Sequence, residues 1–442
     1  MKKSVIFLGI LLAFFGVLGG GMLSKTIPEL EQEENLELAI YVDDERQSTI
    51  PEKENADNYV FDKATCFING KEDASVTVSW DSEDWAPIVK GLTTYKTRCD
   101  LYFKEETDLD RCYEQYGEDS INCSVIAQLD DTGKCPTVNE EGTVEVDKIE
   151  RSNGYLCSAP DDYGTSYYFR GTSQNNYVYF AGYYWRILRI NGDGSIRMIY
   201  DGTTAHPNGE ESTDRAIGTS AFNAYSNDNA YLGYMYGATS STSYEATHAN
   251  TNSSAIKSYL DTWYENNLLD QYAEYINDTL FCNDRSIAET APNSNFNQLG
   301  YARNGTAYRW YYGPWDNSSY NPKLTCELQN DRFTVNDEII GNGDLTYPIA
   351  LVSVDEVVLA GGYNTSNTGY YLYMRNSFWT MTPFNYLGVH AANYSIGVYG
   401  GVSTPTPSYD VAYSHFYVRP VINLKPNSLK SGDGTASNPY QV

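Results

Sequence analysis

The chain has 442 residues, with 58 acidic against 30 basic side chains and a formal net charge of −28. A surface of that sign repels phosphate backbones, which argues against nucleic acid as a partner. The 41 tyrosines and 35 glycines, against only 6 methionines, favour strands and loops over long helices.

The N-terminus, MKKSVIFLGILLAFFGVLGGGMLSK, has an apolar run from Ser4 to Leu23. That is long enough to span a bilayer. Lys2 and Lys3 favour a cytoplasmic start with the remainder outside. No A-x-A pattern follows, so residues 1–25 are expected to be an uncleaved membrane anchor, with a removed signal peptide as the alternative. Residues 26–35 are a polar, acidic spacer. From 36 to 104 the segments LAIYVD, YVFDKATCF, SVTVSW and CDLYF alternate or run β-branched. They predict a small all-β module with Trp80 and Trp85 in its core. Residues 105–154 are turn-rich and hold several cysteines. They are expected to form a connector, with a short helix at DLDRCYEQY.

The main domain is expected over 155–442. YYWRILRI and SIRMIY predict two strands joined at Asn191-Gly192-Asp193-Gly194, where Asn and Gly accept positive φ. The same four residues are poor as a calcium loop, because the further oxygen ligands and terminal Glu are missing. Ile256, Leu260 and Trp263 share one helical face over Ser254–Asn266, with Ser254 as the cap. Leu268–Ile276 is expected to continue it after a break. Ser353-Val354-Asp355-Glu356 is a capping box before an apolar run that ends at Gly361. YYLYM, SFWTMTPF, NYSIGVYG and HFYVRPVINL are the late strands. Strands, two helices, then strands is an α+β order.

Eight cysteines, an even number, fit an exported protein. Proximity favours Cys66 with Cys99 and Cys282 with Cys326, leaving Cys112, Cys123, Cys135 and Cys157 to pair among themselves. No His lies near these four, so a metal cluster is not expected. The four histidines, His206, His248, His390 and His415, are not at metal-ligand spacings. H-E-x-x-H, phosphate-binding glycine loops and the G-x-S-x-G elbow are all missing. Asp161-Asp162, Asp201 and Asp228 lie beside Tyr and Gly as in sugar-cleaving sites, but acidic residues are common throughout. No cofactor and no metal are expected, and the protein is taken as non-catalytic.

The strings YYWRILRINGDGSIRMIYDG, TLFCNDRS, DRFTVND, VDEVVLAGG, FWTMTPF, YVRPVINL and SGDGTASNPYQV resemble a group of exported, cell-surface proteins of Gram-positive bacteria. VFDKATC, VSWDSEDWAPIV and TRCDLYF resemble a β module placed before such domains. A W-T-x-(T/S)-P strand, a hairpin and a terminal R-P-V strand further resemble the C-type-lectin-like domain in its formylglycine-generating-enzyme form. That enzyme activity would require a reactive cysteine pair near the C-terminus, and the last cysteine here is Cys326. The iron-dependent relatives would need a histidine cluster, which is also missing. The resemblance therefore implies the scaffold without those activities.

Some lectin-like proteins of this fold carry a late variable patch rich in Asn, Tyr, Ser, Asp and His. Residues 385–417 have that composition. The contact candidates are Asn385, Tyr386, His390, Asn393, Tyr394, Tyr399, Ser408, Tyr409, Tyr413 and His415. Tyr supplies contact area at low entropy cost and Asn and Ser adaptable hydrogen bonds. Trp379, Arg419 and Pro420 are framework. The run RWYYGPWDN, with Trp310, Tyr311, Tyr312 and Trp315, could stack on sugars or pack under a loop. The leading expectation is an extracellular, membrane-anchored binding protein, an adhesin, with a protein or carbohydrate ligand. A secreted polysaccharide-acting enzyme and a structural fibre subunit are the alternatives.

Overall fold

The computed structural model describes residues 36–51, 59–81, 84–93, 95–130, 133–145, 154–289, 294–301, 305–311, 322–362, 366–403, 410–413 and 415–442. The expected anchor and spacer lie outside them. No described helix is long and apolar enough to cross a membrane. The chain is α+β and mostly strand. It divides into two compact units, the first ending at Arg111 and the second starting at Cys112.

The first unit is built on β1 (Leu36–Val42), β2 (Tyr59–Ile68), the hairpin β3 (Thr77–Asp81) and β4 (Ala86–Lys90), and β5 (Thr97–Glu105). β5 is central, parallel to β1 and antiparallel to β2. Cys66 and Cys99 face each other across β2 and β5 and form a disulfide. Around it pack Ile40, Leu101 and Phe103. Trp80 closes the core edge-on to Phe103 at 5.0 Å, and Trp85 lies edge-on to Trp80 at 5.2 Å.

Helix α1 (Asp108–Tyr116) carries the chain across the boundary, at the segment DLDRCYEQY. Its Cys112 is bonded to Cys123 in α2 (Ile121–Ile126). Cys135 bonds Cys157, so the four remaining cysteines do pair among themselves. The larger sheet of the second unit has seven strands. Six of them are β6 (Tyr155–Asp161), β7 (Gly164–Arg170), β8 (Tyr177–Phe180), β9 (Tyr183–Ile190), β10 (Ile196–Gly202) and, much later, Val421–Leu424. The seventh, Tyr440–Gln441, runs parallel to β8. β9 and β10 meet at Asn191–Gly194, where Gly194 has φ +78° and donates to the Asn191 carbonyl at 2.8 Å. The turn reading holds there.

Helix α3 (Ala255–Asn267) starts where Ser254 accepts from the Lys257 amide at 3.2 Å. Its Ile256 and Leu260 are buried, and Trp263 packs on Tyr183, Trp185 and Tyr200. Two short turns, Leu269–Tyr272 and Ala273–Tyr275, follow the break. Helix α4 (Val354–Leu359) carries the full capping box: Ser353 Oγ accepts from the Glu356 amide, and Glu356 accepts from the Ser353 amide.

The second sheet centres on β11 (Phe378–Tyr386), paired antiparallel with β12 (Ala391–Ile396). β13 (Phe416–Tyr417) pairs β11 on its other side and Thr219–Ser220 beyond. β14 (Val421–Leu424) then crosses to β10 of the first sheet. HFYVRPVINL is therefore two strands in two sheets, divided at Val418-Arg419-Pro420.

YYLYM is not a strand. Residues 370–374 are buried in turns. Buried backbone off the ladders needs other donors. Here arginines supply them. Arg215 donates to the Tyr371 and Tyr373 carbonyls and Arg419 to that of Leu372. Alternation of apolar residues does not reveal such donors in advance.

Candidate functional site

The carboxylates singled out from the sequence are occupied by internal partners. Asp161 accepts from Arg189 at 3.0 Å and from the Gly192 amide. Asp162 accepts from the Cys326 amide and pairs with Arg332. Burial pushes its carboxyl up, against the pull of the amide and Arg332. Asp201 is gripped by Arg215 and Arg419, each at 2.8 Å. Asp228 caps the turn at Asn229–Leu232 and accepts from the Ser240 amide. Arg189, Arg197, Arg309, Asp284, Asp355 and Glu356 line a cavity of about 20 Å³, room for about one water molecule.

The histidines are spread. His206 is buried, with Nδ1 3.1 Å from Glu210 and Nε2 3.0 Å from Asp214. His248 lies tilted against Tyr244 with ring centroids 4.1 Å apart, and burial pushes its imidazole down to about 3, so it is neutral. His390 and His415 are exposed. Among the described residues no group of three or more His, Cys, Asp and Glu is placed to hold a metal. Trp310 is buried and donates to Asp355, and Tyr311 stacks on Phe384 at 5.0 Å. Those two pack inward. Tyr312 and Trp315 lie outside the described residues.

Every residue of β11 and β12 is buried. This corrects four of the contact candidates: Asn385, Tyr386, Asn393 and Tyr394 are interior. Tyr394 donates its hydroxyl to the Trp310 carbonyl at 2.6 Å, and burial raises it well above an ordinary phenol. Tyr386 donates to the Asn227 carbonyl at 3.0 Å, and Asn393 to that of Leu232 at 3.3 Å. The short helical turns Asn229–Leu232 and Arg309–Tyr311 and helix α4 pack against the hairpin. Its polar side chains supply hydrogen bonds to loop carbonyls, which Val or Leu could not. Trp379, expected as framework, is buried and donates to the Ser220 carbonyl at 2.9 Å.

The other candidates separate along β12. Tyr399 sits in the turn after it, whose backbone is held by Asn367, Tyr370 and Tyr373. His390 sits in the turn before it. Six residues at about 3.3 Å each put these ends roughly 20 Å apart. His415 is next to β13, with its Nδ1 3.3 Å from the Tyr413 carbonyl. Ser408 and Tyr409 lie outside the described residues.

Around the His390 end a surface does assemble. Ala391 donates to the Ser226 carbonyl and accepts from the Val411 amide. These bonds bring together the turn at 387–390, the segment before Ser226 and the segment 410–413. His390 Nδ1 lies 2.6 Å from Oδ2 of the buried Asp410. Four large side chains stand out from this surface: Leu387 (55% exposed), Val389 (63%), Tyr225 (62%) and Tyr413 (76%). Tyr225 leans on Tyr231 at 5.7 Å, and Tyr231 on Tyr236 at 5.3 Å.

Leu387, Val389 and Tyr225 were not among the sequence candidates, yet a signal for them existed. Residues 378–418 contain one charged side chain, Asp410, and residues 216–244 also contain one, Asp228. In a chain that is 20% charged, two such stretches are conspicuous. Both carboxylates are buried: Asp228 accepts from the Ala230 and Ser240 amides, and Asp410 from the Ala412 amide with His390 beside it. The described residues of these two stretches thus expose no Lys, Arg or carboxylate on an acidic protein. No family model, curated protein or solved structure matches the chain.

Proposed function

We propose that this protein is an extracellular, non-catalytic binding protein, held at a membrane by its N-terminal segment, that presents the face around His390 to a macromolecular ligand, protein or carbohydrate. The carrying observation is the cluster of exposed Leu387, Val389, Tyr225 and Tyr413, on segments whose described residues expose no Lys, Arg or carboxylate. Interface centres are depleted of charge, more apolar than the rest of the surface and enriched in tyrosine. Four disulfides and no free cysteine support an oxidising compartment. The Trp379-Thr380-Met381-Thr382-Pro383 strand and the closing Arg419-Pro420-Val421 support a lectin-like scaffold for the second unit.

The test is attachment. Cells displaying the full chain are scored for adhesion to other cell surfaces, beside cells displaying Leu387→Asp/Val389→Asp at equal density. The reading expects adhesion by the first and its loss in the second. Equal adhesion by both, with the variant folded, removes this face from the function.

A further inference from the structure

We infer that the face around His390 docks a protein that is basic overall and meets Leu387, Val389, Tyr225 and Tyr413 with aliphatic or aromatic side chains of its own. The inference rests on the binding-face reading and adds the class of partner.

The side chains on offer discriminate between ligand classes. Saccharides are held by side-chain amides and carboxylates arrayed around a flat ring. Asn227 is exposed, but the other amides of the neighbouring segments are turned inward. Asn223 donates to the Tyr231 carbonyl, Asn229 to Thr306, and Asn393 to the Leu232 carbonyl. What also projects is Leu387 and Val389, which have no hydrogen-bonding side-chain atoms, together with Tyr225 and Tyr413. Branched aliphatic tips are matched by aliphatic or aromatic surface on another protein.

Charge selects among proteins. The chain carries −28, so a second copy is repelled at long range. A basic protein is attracted and steered to the surface. Among the described residues of these segments the contact exposes no carboxylate, because Asp228 and Asp410 are buried, Asp228 on backbone amides and Asp410 against His390. Steering and contact are thus carried by different parts of the molecule. The turn that bears Leu387 and Val389 also needs little ordering on binding. It is closed by the Leu387 amide on the His390 carbonyl at 3.2 Å and rooted in two fully buried strands. Such preorganisation lowers the entropy cost of association.

The experiment uses the purified full chain, as wild type and as Leu387→Asp/Val389→Asp, with Leu387→Ser/Val389→Ser as a second variant should the first unfold. Each is panned against a random peptide library and applied to an array of neutral glycans. The expected result is peptides enriched in Leu, Ile, Val or Phe flanked by Lys or Arg. Their affinity should fall more than about tenfold in the variant, as for the loss of an interface anchor. Their association rate should fall with rising ionic strength while dissociation stays constant. Glycans bound by wild type and lost by the variant would keep the binding face but overturn the protein partner. Face-dependent peptides without basic enrichment overturn the charge selection. Self-association abolished by the variant gives the face to a second copy. If no peptide, glycan or second copy depends on these residues, both this inference and the binding-face reading fall.

Discussion

Arg189 of β9 and Glu356 of α4, 167 residues apart in the chain, meet in the interior with Nε 3.3 Å from Oε1. Glu356 also engages Arg197 and accepts from the Ser353 amide at 2.9 Å. One carboxylate thus caps a helix and neutralises two buried guanidinium groups of the larger sheet. Burial alone would raise this carboxyl, but Arg197, Arg189 and the Ser353 amide together hold it below its ordinary value.

Glu356→Gln should therefore destabilise the second unit by about 3–5 kcal/mol, since it strands buried positive charge. The folded state holds the carboxylate more tightly than the unfolded one. Its stabilisation is present above the unfolded value of about 4.3 and is lost as pH falls through the lower folded value. Urea midpoints of wild type and variant should differ most at neutral pH and converge as pH falls through the lowered folded value.

His248 has the same sign by a different cause. Burial and Arg285 hold its imidazole neutral, down to about 3. The unfolded chain takes up this proton near 6.5, so the contribution is complete above that pH and is lost progressively toward 3. At pH 5 the loss is about 2 kcal/mol. His248→Gln should flatten the stability profile of the second unit between pH 6.5 and 5, measured by thermal melts against wild type.

The tyrosines of 385–417 should split into two classes. Tyr394→Ala removes a fully buried ring and should cost about 3–5 kcal/mol. Tyr394→Phe removes the hydroxyl that donates to the Trp310 carbonyl and should cost about 1–2 kcal/mol. Tyr399→Ala and Tyr413→Ala should stay within about 0.5 kcal/mol, as exposed positions do. Denaturant titration of the four variants checks the order; a Tyr394→Ala protein as stable as wild type would place that ring outside the core.

Cys66–Cys99 closes a long loop in a module of few strands. The chain-entropy model assigns such a loop about 4 kcal/mol. Small modules depend heavily on cross-links of this kind. Cys66→Ala/Cys99→Ala should unfold the first unit while the second keeps its own melting transition. Calorimetry of the full chain would show one transition lost or lowered and the other unmoved.

Much of the fold is legible from local chemistry. Ser254 and the Ser353–Glu356 pair mark their helices because a cap needs only a side-chain oxygen and a nearby amide, all local in the chain. The Asn191–Gly194 turn is equally local, set by which residues tolerate positive φ. The Cys66–Cys99 and Cys282–Cys326 pairs follow from proximity along the chain. YYLYM failed as a strand because donors from Arg215 and Arg419, far away in sequence, satisfy its carbonyls.

The late segment shows the division most clearly. By itself the sequence determined that SFWTMTPF and NYSIGVYG are strand-like, that the late segment is rich in Tyr and Asn, and that almost no charge lies in it. Only the tertiary structure decided which of those side chains face outward. Loops from 226–232 and 307–311 cover the hairpin, so Asn385, Tyr386, Asn393 and Tyr394 spend their polar groups and rings inside. Exposure passed instead to the turn residues Leu387 and Val389 and to Tyr225, brought alongside by one backbone hydrogen bond from Ala391 to Ser226. Composition is a property of the chain, but burial depends on what other segments come to rest against it.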